Sequence, residues 1–209
     1  METKDYLRFI SEIIHTTIVA TVDDDNLPVT AAIDMMHSDE NSLYFLTAKG
    51  KSLYQRLIKR KFISLTAVKG EEPLSSVSVS LRGKVREIGY DLIPFLFEKN
   101  PYMKSIYPTE ESRHALTVFQ LYEGSGQWFD LSKKPIEHFS FTFGGTEAQQ
   151  QPAYFIDKKC NACGSCLKVC PQNCIENTTA PFKIRQNNCL NCGNCISVCP
   201  VGAVVRKSI

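Results

Sequence analysis

The cysteines are the residues of this sequence with the clearest chemistry. All nine lie between Cys160 and Cys199, and the first 159 residues contain none. Eight of them form two copies of one spacing, C-x2-C-x2-C-x3-C-P, the first beginning at Cys160 and the second at Cys189. A secreted disulfide scaffold spreads its cysteines along a short chain. The pattern therefore predicts thiolate ligands for a soft metal in a reducing compartment.

The cysteine region resembles the two-cluster 4Fe–4S ferredoxins of the bacterial type. Three cysteines on a tight loop hold three corners of a cubic cluster, whereas the fourth lies too far round the following helix to return to the same cube. That fourth cysteine is therefore expected to bind the other cluster. The expected ligands of cluster I are Cys160, Cys163, Cys166 and Cys199. The expected ligands of cluster II are Cys189, Cys192, Cys195 and Cys170.

Structural zinc is the competing interpretation, because a single C-x2-C pair is common to both kinds of site. Two complete copies at matched spacing favour iron–sulfur clusters. The ninth thiol, Cys174, aligns with Ala203 in the repeat and is expected to be a small buried residue; a spare ligand or redox thiol is the alternative. Clusters with four thiolate ligands have no open coordination position, so they relay electrons rather than transform a substrate.

The preceding residues alternate short β-branched runs with turns. Helices are predicted over residues 1–14, 52–59 and, with breaks at prolines, 91–107. Strands are predicted over residues 16–22, 29–36, 43–48, 62–68, 77–88, 116–122, 127–131 and 136–143. Many short strands with few helices predict a closed or partly closed barrel. The expected fold class is α+β, mostly β, with a split β-barrel and a small ferredoxin-like domain.

A polar stretch without periodicity divides the chain into two units. Residues 1–143 are expected to form the barrel domain, residues 144–152 a linker and residues 153–209 the two-cluster domain. The second unit is too small to bury much apolar surface, so its fold needs the metal clusters.

Composition limits the partners of this chain. Lys and Arg number 24 against 22 Asp and Glu, a net charge of +2, so neither nucleic acid nor an anionic membrane is the expected partner. No apolar run approaches the roughly 18 residues that span a bilayer. The first residues carry acids and lack the apolar region of a signal peptide. A soluble, cytoplasmic protein is expected.

The order of elements in the first unit resembles the FMN-binding split-barrel family, the pyridoxamine-phosphate-oxidase-like proteins, over about residues 10–143. The segments LYFLTAKGKS (43–52) and VSLRGKV (79–85) carry most of this resemblance. It implies an FMN cofactor and a homodimer with the flavin at the interface. The segment from Ala31 to Met36 lacks the arginines with which family oxidases grip flavin and substrate phosphates, so pyridoxamine-phosphate oxidation is not expected.

The resemblance also implies which residues hold FMN. Its phosphate is expected at a strand end that opens a helix, where the binding residues are Thr47, Lys49, Lys51 and Ser52. Cations, hydroxyls and helix N-terminal N–H groups suit a phosphate dianion. The residues implied on other strands are Ala32, Ile33 and Asp34 along the ring, Ser78 as a polar contact, and Arg82 at the phosphate or a dimer interface. The alternative is a solvated turn in which Ser52 caps the helix.

The two units together predict a redox function. A flavin beside two clusters converts a two-electron event into single transfers. We expect an electron-transfer oxidoreductase that passes single electrons between two 4Fe–4S clusters and FMN, served by a redox partner protein or a small-molecule donor or acceptor. The alternatives are a non-enzymatic carrier or redox sensor that binds FMN or haem, and a barrel without a cofactor that serves as a docking platform. The four histidines are scattered, and each is expected at the surface or in the core.

Overall fold

The computed structural model describes residues 1–147 and 152–208. Residues 148–151 of the predicted linker lie outside the described residues. Among the described residues, no helix is long and apolar enough to cross a membrane.

The chain begins with a helix that changes its winding. Helix α1 (Thr3–Arg8) continues directly as a π-helix (Phe9–Ile14), so the predicted helical segment over residues 1–14 is confirmed. Leu7 and Ile10 are fully buried against the barrel.

Eight strands form one antiparallel sheet that curls into a half-barrel. They are β1 (Thr16–Val22), β2 (Pro28–Asp34), β3 (His37–Ser38), β4 (Leu43–Ala48), β5 (Phe62–Lys69), β6 (Val77–Gly89), β7 (Leu116–Asp130) and β8 (Glu137–Phe143). Their order in the sheet is β2-β1-β5-β6-β7-β4-β3, with β8 paired to β7. A hydrogen bond from the Met36 N–H to the Tyr44 carbonyl, 2.8 Å long, links the segment that follows β2 to β4. The predicted mostly-β split barrel is confirmed.

The two strands predicted over residues 116–122 and 127–131 are in fact one long strand, β7. The glycines between them suggest a turn in the sequence, but the structure uses them for close packing. A Cβ atom at Gly124 would collide with the Arg82 carbonyl on β6. The paired β6 and β7 form a ribbon that runs through the middle of the sheet.

Four short helices cover the barrel. They are α2 (Ser52–Arg60), α3 (Ile93–Lys99), α4 (Met103–Ile106) and α5 (Glu110–Arg113). Leu53 and Leu57 of α2 pack into the same buried cluster as Phe45 and Phe119, whose rings stack with centroids 5.8 Å apart. Burying each such side chain contributes roughly 1.5–3 kcal/mol. Helix α2 therefore fixes the turn that precedes it against the end of β4.

The cysteine-bearing unit is built around two short helices and two small sheets. Strand β9 (Pro152–Ile156) pairs with β12 (Val204–Ser208), and β10 (Ile175–Glu176) pairs with β11 (Lys183–Ile184). Helices α6 (Ser165–Val169) and α7 (Asn194–Ser197) each contain the third cysteine of a motif, Cys166 and Cys195. Strands β9 and β11 each precede one cysteine motif. The result is two pseudo-symmetric halves, as the sequence repeat predicts.

Candidate iron–sulfur sites and the adjoining barrel groove

The eight motif cysteines surround two separate cavities. The first cavity is lined by the four cysteines assigned to cluster I: Cys160, Cys163, Cys166 and Cys199. The second is lined by the four assigned to cluster II: Cys170, Cys189, Cys192 and Cys195. The structure thus brings together each predicted set, with the fourth cysteine of one motif beside the first three of the other.

The donor set and its geometry fit cubic clusters. All nine thiols are free of disulfides. Four motif cysteines line each cavity, and soft thiolate donors in this number suit a cubic iron–sulfur cluster.

Each cysteine loop depends on a glycine with positive φ. Gly164 (φ 77°) and Gly193 (φ 81°) occupy the N-cap positions of α6 and α7 in the left-handed region. Side-chain-bearing residues rarely adopt this conformation. The turn brings the next N–H groups round towards the loop, and the Cys163 pKa is lowered by hydrogen bonds from the backbone and side chain of Ser165. A lowered thiol pKa favours the thiolate that metals bind.

Cys174 is buried, as expected, but it also touches a cluster II ligand. Its Sγ lies 3.5 Å from the Cys170 Sγ, and it lines the same cavity. Burial, followed by the hydrogen bond with Cys170, raises the Cys174 pKa to about 12. The thiol therefore stays protonated and donates to the Cys170 sulfur. In the other half, the backbone N–H of Ala203 donates to the Cys199 sulfur at 3.2 Å.

The cluster II loop packs against strand β8 of the barrel. His138 Nε2 donates to the Cys189 carbonyl at 2.7 Å. The Asn188 side-chain amide donates to the Ile136 carbonyl at 3.0 Å, and the Ile136 N–H donates to the Gln172 side chain at 2.8 Å. These three contacts attach the half of the ferredoxin unit that carries Cys189 to the barrel.

An open groove runs over the outer face of the barrel to this loop. Its larger part, about 540 Å³, is lined mainly by hydroxyl-bearing residues and Arg82 on β5, β6, β7 and β8. An adjoining part of about 330 Å³ contains Ser78, His138 and the segment 189–191. The two parts share Ser80, Gln127 and Ser140. The barrel face and the cluster II loop therefore line one continuous groove.

The predicted flavin residues fall into two groups. Ser78 and Arg82 line the groove, and Ala32 is exposed on β2 at the far side of the same face. One row of paired residues crosses this face: Ala32, Ile18, Thr66, Ser80, Gln127 and Ser140. Ile33 is half-buried beside it, and Asp34 accepts hydrogen bonds from Thr16 and Tyr102.

The second group lies at the other end of the barrel. Lys49, Lys51 and Ser52 are exposed in the turn that opens α2. The helix N-cap is Lys51, so the alternative role of Ser52 as the cap is wrong. Thr47 is buried, and its Oγ1 has no hydrogen-bond partner among the described residues. An unpaired buried hydroxyl costs free energy, so this site fits a ligand with an oxygen or N–H group.

Three of the four histidines lie where elements distant in the chain come together. His138 contacts the cluster II loop, while His15 and His37 line one small pocket with Lys99. Nothing in their sequence spacing indicates this, because the residues that meet them come from elements far apart in the chain. The pairing of His138 with Cys189, for example, spans 51 residues.

Comparisons with known proteins identify the cysteine-bearing unit. Residues 159–203 match the family model described as 4Fe-4S dicluster domain. No curated protein matches the sequence.

Three solved structures share the barrel fold. A NimC/NimA family protein from Clostridium acetobutylicum is 18% identical over 66% of this chain and 93% of its own, with a TM-score of 0.53. A heme binding protein from Mycobacterium smegmatis is 14% identical over 72% of this chain and 63% of its own, with a TM-score of 0.54. A pyridoxinephosphate oxidase family protein related to general stress protein 26, also from C. acetobutylicum, is 17% identical over 66% of this chain and 94% of its own, with a TM-score of 0.52.

These comparisons show the fold of the first unit and the 4Fe–4S binding of the second, which together support a redox or electron-transfer module. The chain thus combines an N-terminal barrel with the split-barrel fold of pyridoxine-phosphate-oxidase-like proteins and a C-terminal domain of the 4Fe–4S dicluster family.

Proposed function

We propose that this protein is a flavin/iron–sulfur electron-transfer oxidoreductase in which two 4Fe–4S clusters exchange single electrons with FMN on the barrel. One observation carries the proposal: residues 189–191, which include a cluster II ligand, line the same groove as Ser78, Ser80 and Gln127 of the barrel. A cofactor on this face and a cluster in the second cavity would lie next to each other. Their proximity is what an electron-transfer pair requires.

The cysteines hold the clusters in this proposal, four to each cavity. When bound, the clusters supply one-electron chemistry at low potential. Neighbouring residues tune the reduction potentials of the clusters. The Cys174 thiol and the Ala203 N–H donate hydrogen bonds to ligand sulfurs, and such bonds shift cluster potentials.

Cluster II is the inner cluster in the proposed order of transfer. The cluster II loop is hydrogen-bonded to the barrel at two places. His138 of β8 donates to the Cys189 carbonyl, and the Asn188 side chain donates to the Ile136 carbonyl. The cavity assigned to cluster I is lined by residues of the ferredoxin unit alone. Electrons would therefore pass between an external redox partner and cluster I, then cluster II, then the barrel cofactor.

The flavin residues favour a homodimer. On β6, Glu87 lies nine positions after Ser78, roughly 30 Å of extended strand. Glu87 accepts a 2.6 Å hydrogen bond from Thr117, which pairs with Thr47. Ser78 and Thr47 thus lie at opposite ends of the barrel. We propose that one subunit supplies Thr47, Lys49, Lys51 and Ser52, while the partner subunit's groove completes the site.

A carrier that binds haem or FMN without turnover is the second candidate. It is favoured by the similarity in fold to the heme binding protein from M. smegmatis. The match of residues 159–203 to a 4Fe–4S domain model applies to either candidate.

An anaerobic purification separates these candidates. We expect eight iron and eight sulfide ions and one FMN per chain, in a particle with twice the mass of one chain. Bound flavin should be reduced when reduced cluster donates to it, with steady turnover once an acceptor is added. Bound haem without flavin, or a flavin that is reduced without net turnover, would favour the carrier. A barrel that holds no cofactor would rule out both candidates and favour the barrel as a docking platform.

Lys51→Ala should weaken FMN retention by about tenfold, because one charge-assisted hydrogen bond to phosphate is lost. Equilibrium dialysis of the deflavinated protein measures the effect. Lys104→Ala is the matched control, since Lys104 is an exposed lysine on α4. Equal affinity of the two variants would move the phosphate site elsewhere.

A further inference from the structure

Two cysteine side chains are in contact beside the cavity assigned to cluster II. The Sγ atoms of Cys170 and Cys174 lie 3.5 Å apart, and both residues line that cavity. Cys170 is one of the four expected ligands of cluster II, whereas Cys174 belongs to neither ligand set. A disulfide places its two sulfurs about 2.05 Å apart, so this pair must approach by roughly 1.5 Å to become bonded.

The backbone between the two cysteines already forms a closed turn. The Asn173 N–H donates to the Cys170 carbonyl at 3.3 Å, and Asn173 has a φ of 48°, in the left-handed region. The chain therefore turns back and returns Cys174 to the side of Cys170. Because this turn exists before the sulfurs are bonded, a disulfide here adds little to the entropic cost of closing the loop.

Hydrogen bonds from Arg185 hold the turn in place. The Arg185 N–H donates to the Cys174 carbonyl at 2.8 Å, and its guanidinium donates to the Asn173 carbonyl at 2.9 Å. Both bonds join one protein group to another, and neither involves a ligand sulfur. Cluster I has neither Cys170 nor Cys174 among its expected ligands, so the ferredoxin unit keeps one cluster when cluster II is lost. The arrangement of the pair thus does not depend on cluster II.

The two thiols differ in their exposure to solvent. Cys170 is half-buried, whereas only 2% of Cys174 is exposed. A small oxidant from solvent therefore reaches the Cys170 sulfur first once that sulfur has lost its cluster. An accessible thiol beside a second thiol is the arrangement in which a sulfenic acid is converted into a disulfide.

The other half of the repeat lacks this pair. Cys199, the expected fourth ligand of cluster I, has Ala203 at the position where Cys170 has Cys174. The Ala203 N–H donates to the Cys199 sulfur at 3.2 Å, and the alanine side chain carries no thiol. A sulfenic acid at Cys199 would find no second thiol at this position, so the pairing is specific to the half that carries Cys174.

We propose that Cys170 and Cys174 form a reversible disulfide when cluster II is lost, with hydrogen peroxide as the oxidant. In the first step the Cys170 sulfur attacks peroxide, so that the O–O bond breaks, an S–O bond forms and water leaves. In the second step the Cys174 sulfur attacks the sulfenic acid, so that the S–S bond forms and the S–O bond breaks. The hydroxyl group leaves as water with the proton of Cys174. Two electrons pass from the two thiols to one peroxide molecule, which becomes two water molecules.

The disulfide withdraws Cys170 from the four thiolates that cluster II requires. Cluster II is then not rebuilt, while the ligands of cluster I remain available. This interrupts electron transfer between cluster I and the barrel, a consequence that rests on the proposed function, whereas formation of the disulfide does not. Because a disulfide that closes so short a loop adds little stability, a small dithiol reduces it and restores the ligand.

Peptide mapping of the full-length holoprotein tests the pairing. Anaerobically purified protein is treated with hydrogen peroxide until about half of its iron, the share of one cluster, is released. Free thiols are then alkylated before digestion with trypsin. Cleavage after Lys168 and Lys183 yields a peptide, residues 169–183, whose only cysteines are Cys170 and Cys174. We expect this peptide to be unalkylated and lighter than its dithiol form by two hydrogens, and dithiothreitol added before alkylation should restore two alkylated thiols.

Two variants test the dependence on cluster loss and on the second thiol. Cys192→Ala removes a cluster II ligand, so the disulfide should form at peroxide concentrations that leave the wild-type holoprotein unmodified. Cys174→Ser removes the second thiol, so Cys170 should instead be alkylated or be oxidised to the sulfinic acid.

Three results would overturn the proposal. The first is that both thiols of peptide 169–183 are alkylated in Cys192→Ala protein after peroxide treatment. The second is that either thiol is bonded to peptide 186–206, which carries Cys189. The third is that the disulfide forms equally in holoprotein that keeps all of its iron. None of these measurements needs flavin, so a barrel that binds no flavin would defeat the proposed function and leave them unaffected.

Discussion

The two halves of the ferredoxin domain have the same cysteine spacing but different surroundings. The first half, with the cavity assigned to cluster I, is lined by residues of its own unit. The second half, with the cavity assigned to cluster II, is hydrogen-bonded to β8 through His138 and Asn188. The second half also has a thiol, Cys174, at the position where the first has Ala203.

This difference shows how two repeated cluster sites can be given a fixed order of electron transfer. Two identical clusters in identical environments have no preferred order. Attachment of one half to the barrel makes that half the neighbour of the groove, and an additional hydrogen bond to its cluster sulfur changes its potential relative to the other. Each prediction below removes one of these differences, beginning with the largest expected effect.

Removing one equivalent ligand from each half tests the order of transfer. Cys163→Ala and Cys192→Ala change corresponding, exposed positions of the repeat, so each is the control for the other. Each variant should lose about half of the iron, because each cube depends on four thiolates. Only Cys163→Ala should retain electron transfer from its remaining cluster to the barrel. Iron analysis and stopped-flow spectroscopy measure the two effects.

Two results would contradict this order. If both variants keep all of their iron, the ligand assignment is wrong. If Cys192→Ala still passes electrons to the barrel while Cys163→Ala does not, the inner and outer clusters are reversed.

His138→Phe should loosen the attachment of the second half alone. The variant leaves the Cys189 carbonyl without its donor, which costs roughly 1–3 kcal/mol where the group stays buried. Amide hydrogen exchange over residues 189–191 should accelerate, while exchange over residues 160–163 stays the same. His114→Phe is the control at an exposed histidine, and His138→Gln should recover part of the protection through its amide donor. Unchanged exchange in His138→Phe would show that the contact does not hold the loop.

The smallest expected effect concerns the cluster potentials. Cys174→Ala removes a donor to the Cys170 sulfur, so the cluster II potential should fall by roughly 20–40 mV, the equivalent of about 0.5–1 kcal/mol for one hydrogen bond. The mirror variant, Ala203→Cys, should raise the cluster I potential. Redox titration followed by EPR measures both. If the cluster II potential of the Cys174→Ala variant equals that of the wild-type protein, Cys174 is a packing residue only.

Local patterns predicted most elements and the two cysteine sets. The β-branched run from Thr16 to Val22 and the apolar run from Leu43 to Ala48 are strands with the expected bounds. Each predicted set of four cysteines lines one cavity, because the first three of each set are close in sequence, whereas their role as cluster ligands stays a prediction. The division of β7 was predicted wrongly, since Gly124 serves close strand packing rather than a turn.

The polar networks were beyond sequence analysis for a different reason. His15 and Tyr102 are 87 residues apart, and His138 and Cys189 are 51 apart. Only the closing of the barrel and the packing of the second domain bring them together, and single residues without periodicity carry no signal of such contacts. The same holds for the flavin residues, where the sequence order conceals that Ser78 and Thr47 occupy opposite ends of the barrel.

The exposed Cys163 has a consequence for how the protein ages. Hydrogen bonds from Ser165 lower the pKa of Cys163. A molecule that has lost cluster I therefore exposes a reactive cysteine to solvent. Oxidants would attack it before the buried Cys166 and Cys174. Because the first 159 residues contain no cysteine, damaged molecules would become joined through their ferredoxin ends, with intact barrels facing outward.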